Sequence, residues 1–174
     1  MSPLFKKLNL GTQSTIHVLN APASFEPELA ALHGVTVKRT ISGSSGFAMA
    51  FVVTQAELAS ASARLAKACV GDGVVWMAYP KGTSKKYKCE FNRDSGWSVL
   101  GAAGFEPVRM VAIDEDWSAL RFRRVEHIKT MARDPASAIS RGGKHKAAAK
   151  TKATPTKKTA KKTLPGRRST LRSA

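Results

Sequence analysis

Two uncharged apolar runs constrain the fold of this chain more than any other feature of its sequence. The runs cover residues 47–53 and 74–79, and neither contains a charged side chain. Between them, Thr54 and Glu57 have the spacing of a capping box, which predicts a helix over residues 55–69. Uncharged apolar strands are typical of a parallel sheet that is covered on both faces. This segment therefore predicts a strand, helix and strand at the centre of a sheet.

The flanking segments continue the alternation of strands and helices. Strands are predicted over residues 15–20, 35–41, 47–53, 74–79, 108–113 and 117–125. Further helices are predicted to begin at Ser24 and at Asp94 or Ser95, which are plausible N-caps. The last two strands flank a short acidic turn and should pair as a hairpin. We therefore expect an α/β fold, a three-layer Rossmann-like sandwich with a mostly parallel sheet and an antiparallel C-terminal hairpin.

The turns around these strands resemble those of a known enzyme class. Gly71-Asp72-Gly73 precedes the strand at 74, and Ala103-Gly104-Phe105 precedes the closing hairpin. Over residues 47–125 this pattern resembles the second half of a class I SAM-dependent methyltransferase. Residues 75–81, Val-Trp-Met-Ala-Tyr-Pro-Lys, are also similar to a segment of a small uncharacterised bacterial domain-of-unknown-function family. The cores of that family look like shortened versions of the same fold, and the family implies no activity.

The residues after the first two strands depart from a cofactor site. A SAM or dinucleotide site needs glycines after the first strand, where backbone amides approach the cofactor. Here residues 20–24 contain no glycine, and the second strand ends in Lys38-Arg39-Thr40 instead of an acid. No Ser-His-Asp order or nucleophile elbow is present either. We therefore expect no bound cofactor and predict no catalytic residue.

Neither the cysteines nor the first histidine are predicted to have a catalytic or metal-binding role. Cys69 falls in a helical apolar pattern and should be a packed thiol, whereas Cys89 lies beside Lys86 and Lys88. Because neighbouring cations favour the thiolate, the pKa of Cys89 would be lowered in that setting. Neither cysteine has partners at metal-ligand spacing, so no metal site is predicted. His17 lies inside the first strand and is expected to be a partly buried residue with its hydrogen bonds satisfied.

The acidic turn at residues 114–116 is open to three interpretations. It is simply solvated, it binds a cation, or it holds neighbouring basic residues. In the last case its partners would be Arg121, Arg123 and Arg124, or the basic C-terminal residues.

Charge is distributed unevenly along the 174 residues. The formal net charge is +17, from 29 Lys+Arg against 12 Asp+Glu, and residues 141–174 hold 12 of the basic residues and no acid. From 144 to 162 the chain consists almost entirely of Lys, Ala, Thr and Pro. Such a segment cannot bury enough apolar surface to offset its ordering entropy. The sequence predicts a folded domain over residues 1–134 and a disordered basic tail over 135–174.

The tail resembles the Lys/Ala/Pro tails of linker histones and of bacterial histone-like nucleoid proteins. That resemblance implies contact with nucleic acid, because such tails neutralise phosphates without reading base sequence. The predicted contacts are Lys144, Lys146, Lys150, Lys152, Lys157, Lys158, Lys161, Lys162, Arg167 and Arg168. DNA is slightly preferred over RNA as the partner. The alternatives are a ribosome- or RNA-associated extension and a tail that only confers solubility.

A second candidate site is the long polar loop over residues 81–93. It begins at the carboxyl end of a strand, where open parallel sheets bind ligands, near Asn20 and Thr54. Its predicted contacts are Lys81, Lys85, Lys86, Lys88 and Arg93, with Tyr79, Tyr87 and Phe91 among them. Cations would meet phosphates, aromatic rings would stack on bases, and a helix beginning near Asp94 would add backbone amides. The alternative is a solvated loop whose aromatic residues pin it to the core.

We therefore expect a non-enzymatic protein that binds DNA or RNA without sequence specificity through its basic tail. The core would also offer a surface for a protein partner. The alternative is a small-ligand-binding protein or enzyme on a degenerate methyltransferase-like scaffold, with the tail only localising it. No run reaches the about 20 apolar residues that cross a bilayer, and no signal peptide is evident. A cytoplasmic protein is predicted, associated with the nucleoid if it is bacterial.

Overall fold

A computed structural model describes residues 2–130 and 135–153. The strands are β1 (Thr15–Leu19), β2 (Thr36–Lys38), β3 (Phe47–Phe51), β4 (Val74–Pro80), β5 (Phe105–Ala112) and β6 (Trp117–Arg124). The α-helices are α1 (Pro3–Lys7), α2 (Glu26–Ala30), α3 (Gln55–Ala68), α4 (Ser98–Ala102) and α5 (Arg141–Ala153). Short 3-10 helices cover Ala23–Phe25, Val125–His127 and Pro135–Ser137. All six predicted strands are present.

The six strands form one sheet in the order β2-β1-β3-β4-β6-β5. Strands β1, β2, β3 and β4 pair in parallel, and β6 is antiparallel to both β4 and β5. The Rossmann-like fold with an antiparallel closing hairpin is therefore confirmed. Because β1 has β2 on one side and β3 on the other, the strand order reverses between β1 and β3, where such sheets usually bind ligands.

Helices cover both faces of the sheet. Side chains of α1 and α2, including Phe5 and Leu29, pack with Trp76 and other residues on one face. Side chains of α3 and α4, including Leu65 and Leu100, pack on the opposite face. Strand β3 is buried along its whole length, as the uncharged run predicts.

The capping box that starts α3 is formed as predicted. The Thr54 hydroxyl accepts a hydrogen bond from the Glu57 amide at 3.2 Å, and the Glu57 carboxylate accepts one from the Thr54 amide at 3.0 Å. A further amide, that of Val53, donates to the same carboxylate at 2.8 Å. These backbone donors lower the pKa of Glu57. The carboxylate thus satisfies amides that the helix leaves unpaired at its N-terminus.

Two predicted helix starts are wrong. Helix α2 begins at Glu26, and the Ser24 hydroxyl donates to the Asp114 carboxylate at 3.1 Å instead of capping the helix. Helix α4 begins only at Ser98 and has no side-chain cap. Ser95, a predicted cap, instead accepts a hydrogen bond from the Asn92 amide at 3.3 Å, within a turn that precedes the helix. Local turn formation competes with helix initiation for Ser and Asp side chains.

Helix α1 has no counterpart among the predicted elements, because five residues are too few to show periodicity. The Ser2 hydroxyl accepts a hydrogen bond from the Leu4 amide at 3.3 Å and so caps the helix. Leu8 follows the helix and is buried, and its carbonyl oxygen accepts a hydrogen bond from the Trp76 indole at 2.8 Å. The N-terminal segment is therefore part of the core.

The described residues 135–153, which follow the predicted domain end at residue 134, form helices that contact the domain. The buried Glu106 carboxylate accepts hydrogen bonds from the Ile139 amide at 3.2 Å, and from the Ser140 amide and hydroxyl at 2.6 Å each. The Ser140 hydroxyl in turn accepts a hydrogen bond at 2.9 Å from the amide of Gly143, in the first turn of α5. Ala147, one turn further along α5, is buried as well.

Close packing explains why this docking could not be predicted from the sequence. A Cβ atom on Gly143 would lie 2.0 Å from a Glu106 carboxylate oxygen, and one on Gly142 would lie 2.8 Å from a Val125 methyl group. A glycine pair usually argues against a helix. Here the missing side chains let α5 approach the domain closely.

Candidate functional site

The loop that follows β4 encloses a cleft of about 940 Å³ at the carboxyl end of that strand. We call it the loop cleft. Its walls are residues 79–93, Ser95, Met110 and Ser118. The predicted site loop is therefore the main wall of this cavity. Met110 and Ser118 come from the β5–β6 hairpin, and their part in the cleft depends on strand pairing that no local sequence pattern reveals.

The acidic turn between β5 and β6 holds the first half of the loop. The Lys81 ammonium donates to the Asp114 carbonyl oxygen at 2.6 Å, and the Ser84 hydroxyl donates to the Asp116 carboxylate at 2.8 Å. The Lys86 ammonium lies 3.2 Å from the same carboxylate. The Ser84 hydrogen bond and the Lys86 charge lower the pKa of Asp116, while Asp116 raises the pKa of Lys86.

These contacts decide among the interpretations of the acidic turn. It holds the loop, and not Arg121, Arg123 and Arg124 as one interpretation proposed. Arg123 pairs with Asp72 instead. Arg124 donates to the carbonyl oxygens of Ala66, Cys69 and Ala103, and it stacks 4.6 Å above the centre of the Phe105 ring.

The second half of the loop is held by the start of α3. The Glu90 carboxylate accepts a hydrogen bond from the Gln55 amide at 2.8 Å, and the Glu90 amide donates to the Val53 carbonyl oxygen at 3.1 Å. The Gln55 side chain donates to the Gly96 carbonyl oxygen at 3.1 Å. The loop is thus fixed at both ends and arches between them.

The five predicted cations of the loop have different surroundings. Lys81 and Lys86 are engaged by the acidic turn, and Arg93 pairs with the adjacent Asp94 at 3.1 Å in an exposed ion pair. Lys85 and Lys88 are exposed and have no ion-pair partner among the described residues. Their two charges are therefore the least compensated in the wall of the cleft.

The aromatic residues of the loop mainly pin it to the core. Tyr79 is 5% exposed and Phe91 is 7% exposed. Their ring centres lie 5.6 Å and 5.4 Å from that of Trp97. Tyr87 is half-buried with its ring 4.9 Å from that of Trp117. The expectation that Tyr79 and Phe91 offer stacking surfaces for bases is therefore wrong, and the alternative of a pinned loop describes them.

The predicted helix dipole beside the loop is also missing. Because α4 begins at Ser98 and spans five residues, no helix begins near Asp94. The Asp94 amide instead donates to the Asn92 side chain at 2.8 Å.

The residues at the reversal of strand order do not fit a SAM-type cofactor. Asn20 occupies the end of β1 with a φ of 54°, and its side chain donates to the Phe51 carbonyl oxygen at 3.5 Å. The Phe51 ring centre lies 4.8 Å from that of Phe25 and 5.1 Å from that of Trp117. After β2, Arg39 pairs with Glu26. Neither the glycines after β1 nor the acid after β2 that such a cofactor needs is present.

The pKa values of both thiols are raised by their surroundings. Cys69 is buried, as expected, and burial raises its pKa to about 11. The pKa of Cys89 is raised as well, mainly by burial. The lowered pKa expected from Lys86 and Lys88 is therefore wrong, because burial of the thiol and the charge of Glu90 both raise the pKa. Within residues 2–130 and 135–153, no group of three or more His, Cys, Asp or Glu side chains is placed to hold a metal ion.

The predicted nucleic-acid contacts of the C-terminal segment are only partly described. Lys144 is exposed on α5, whereas the Lys146 ammonium donates to the carbonyl oxygens of Val125 at 2.7 Å and Ile128 at 2.9 Å. Lys150 and Lys152 also fall within α5. The remaining predicted contacts, Lys157, Lys158, Lys161, Lys162, Arg167 and Arg168, lie outside the described residues. None of the helices in the described ranges is long and apolar enough to cross a membrane.

Comparisons with known proteins give similarities of fold only. No family model matches the chain, and no curated protein matches it. The N-methyltransferase NodS from Bradyrhizobium japonicum WM9 is similar at 13% identity and a TM-score of 0.43, over 68% of this chain and 91% of that chain. Magnesium protoporphyrin IX methyltransferase (ChlM) from Synechocystis PCC 6803 is similar at 12% identity and a TM-score of 0.45, over 70% of this chain and 78% of that chain. The pyocyanin biosynthetic protein PhzM has 12% identity and a TM-score of 0.43, over 70% and 54% of the two chains.

Proposed function

We propose that this protein binds a small phosphate-bearing ligand in the loop cleft. The observation that carries the proposal is the pair of exposed, uncompensated ammonium groups of Lys85 and Lys88 in the wall of a cleft whose loop is fixed at both ends. An ammonium group acts as a compact point charge toward phosphate oxygens. Fixed walls reduce the ordering entropy that binding costs.

The size and lining of the cleft favour a small ligand. Its volume of about 940 Å³ lies at the upper end of the range typical of small-molecule sites. Arg93 also lines the cleft, and its exposed pair with Asp94 contributes little energy, so its guanidinium can turn to a bound anion. Because Tyr79 and Phe91 are buried, recognition would rest on the phosphate more than on a stacked base.

Thermal unfolding with added ligand tests this proposal. The probes are inorganic phosphate, ATP and SAM, each compared with chloride at matched ionic strength. A ligand that binds only the folded state raises the midpoint of unfolding. We expect a rise of several degrees with at least one phosphate-bearing probe and none with SAM.

A matched pair of variants locates the effect. In K85Q/K88Q the rise should be smaller than in the native chain, whereas K7Q/K67Q, which removes two exposed lysines elsewhere, should keep it in full. An equal rise in both double variants, or no rise with any phosphate-bearing probe, would rule out the loop cleft as the site.

The distribution of charge favours a second candidate function. We propose that the basic C-terminal residues bind DNA or RNA without sequence specificity. Support comes from the 12 basic residues and no acid in residues 141–174, and from the exposure of Lys144 on α5. Each neutralised phosphate steepens the dependence of log K on log salt by about 0.9 for duplex DNA.

Binding of a labelled random-sequence duplex and of a single-stranded RNA tests this second function. The full chain is compared with a full-length variant in which the Lys and Arg residues of 157–172 are replaced by Gln. We expect the native chain to bind with a steep salt dependence, and the variant to bind far more weakly with a shallower slope. A variant that keeps the native affinity and slope would refute the role of these residues.

A further inference from the structure

A second basic cleft, of about 460 Å³, lies on the β5–β6 hairpin. We call it the arginine cleft. Its walls are Val108, Arg109, Arg121, Arg123, His127, Ile128, Lys129 and Thr130. In the sheet, Arg121 on β6 lies opposite Trp76, which is near the amino end of β4. The loop cleft lies at the carboxyl end of β4. The two clefts share no lining residue.

Strand pairing brings the arginines together. Arg109 on β5 lies directly opposite Arg121 on β6, and Arg123 is two residues further along β6. Residues two apart on a strand share a face, and directly opposed residues are close neighbours on it. Like charges in such positions destabilise a sheet. Arg109 and Arg121 are therefore held in an unfavourable arrangement, whereas Arg123 pairs with Asp72 and lies opposite Glu106.

Few carboxylates in the described ranges offset these charges. Arg123 pairs with Asp72, and His127 lies 3.5 Å from the exposed Glu126 carboxylate. Arg109 donates at 3.3 Å to the Asn9 side chain, which is neutral. Arg121 has no ion pair among the described residues.

The surroundings of Arg121 are the clearest indication that this cleft binds a ligand. Its Nε atom is buried and has no hydrogen-bond partner among the described residues. Burial, and then the like charges of Arg123 and Arg109, lower the pKa of Arg121, although the charge of Asp72 acts in the opposite direction. An unpaired, partly buried cation is costly to a fold, and such groups are concentrated at binding sites.

We propose that the arginine cleft binds a phosphate group between Arg109 and Arg121. The planar guanidinium fork matches the spacing of phosphate oxygens and donates two parallel hydrogen bonds. A phosphate monoester is close to a dianion at neutral pH, so one group would offset the charges of both Arg109 and Arg121. The phosphate would come either from a small molecule or from the backbone of a nucleic acid. This inference does not depend on the loop cleft.

Titration calorimetry of the full chain tests the proposal and distinguishes the two sources. The probes are inorganic phosphate and a short single-stranded oligonucleotide, both at constant ionic strength. R121Q removes the partly buried guanidinium. R109Q removes an exposed one and therefore leaves the fold intact. R64Q is the matched control, because Arg64 is exposed on α3, whose side chains pack on the opposite face of the sheet.

We expect R121Q and R109Q each to weaken binding by about tenfold or more, and R64Q to leave it unchanged. A loss confined to inorganic phosphate indicates a small phosphorylated ligand, and a loss confined to the oligonucleotide indicates a nucleic-acid backbone. If both probes bind R121Q and R109Q as well as they bind the native chain, the proposal is wrong. K85Q/K88Q should keep the arginine-dependent binding, so failure of the loop cleft and failure of the arginine cleft are distinguishable.

Discussion

At the scale of single residues, His17 shows how burial changes the pKa of a side chain. The Ser45 hydroxyl donates its hydrogen to the Phe47 carbonyl oxygen at 2.8 Å, so it must accept the 2.7 Å hydrogen bond from His17 Nδ1. The neutral form of the ring therefore carries its hydrogen on Nδ1. His17 Nε2 is buried and has no hydrogen-bond partner among the described residues. The expected full satisfaction of this histidine is therefore wrong at one nitrogen.

This geometry predicts a loss of stability in mildly acidic solution. Burial, and then the charge of Lys38, lowers the pKa of His17 in the folded state. The unfolded chain therefore binds a proton more readily as pH falls below the ordinary value of about 6.5. The contribution of His17 to stability is present above that pH and is lost as pH falls through the folded-state pKa.

Urea unfolding midpoints at about pH 7.5 and about pH 5 measure this effect. H17Q should show a smaller drop between the two pH values than the native chain does. H33Q, at an exposed histidine, should show the native drop. An unchanged drop in H17Q would mean that another group causes the acid sensitivity.

Gly143 predicts a reversal of the usual helix propensity. Replacing a helical glycine with alanine ordinarily stabilises by about 1 kcal/mol. In G143A the new methyl group would lie 2.0 Å from the Glu106 carboxylate if nothing moved. We expect destabilisation of about 1–3 kcal/mol, as for other overpacked sites. K144A, at the exposed neighbouring position, should not destabilise, and a stabilised G143A would contradict the close packing of α5.

At the scale of elements, Glu106 joins the hairpin to the C-terminal helix. It is 1% exposed, and three donors from Ile139 and Ser140 converge on its carboxylate. A carboxylate beside the N-terminus of α5 also interacts favourably with the positive end of that helix. One side chain of β5 therefore fixes the start of a separate element.

Removing that side chain should release α5. We expect E106A to destabilise the protein by about 3 kcal/mol, because buried donors lose their acceptor. Urea unfolding gives the stability, and amide hydrogen exchange should show lost protection in residues 141–147. E115A removes an exposed carboxylate and should change neither quantity. Native protection of α5 in E106A would show that the helix does not depend on this anchor.

At the scale of the whole molecule, local sequence patterns were enough to predict the strands. The two clefts, in contrast, are formed by contacts between residues far apart in the chain. The strand pattern and the Thr54–Glu57 capping box are local, and both were predicted. The opposition of Arg109 and Arg121 depends on hairpin register, and the contribution of Met110 to the loop cleft depends on the fold. The docking of α5 depends on contacts across more than thirty residues, such as that of Glu106 with Ser140. None of these long-range contacts can be predicted from a short stretch of the sequence.

The folded unit should therefore extend beyond its predicted end at residue 134. A chain that ends at residue 140 lacks Gly143 and Ala147, which pack against the domain, whereas a chain that ends at residue 153 keeps them. We expect the shorter chain to unfold at a temperature several degrees lower, because it exposes surface that α5 covers. Calorimetric unfolding of the two chains measures the difference. Equal midpoints would place residues 141–153 outside the cooperative unit.

The position of β6 between β4 and β5 determines when the sheet can be completed during synthesis on the ribosome. Of the strands in the described residues, β6 is the last to be made, yet it pairs with both neighbours and joins β5 to the rest of the sheet. Until residue 124 leaves the exit tunnel, β4 is an uncovered edge of the nascent sheet and β5 has no neighbour. Uncovered edges invite pairing with other chains. During the interval between the emergence of β4 and that of β6, the edge of β4 is therefore open to such pairing.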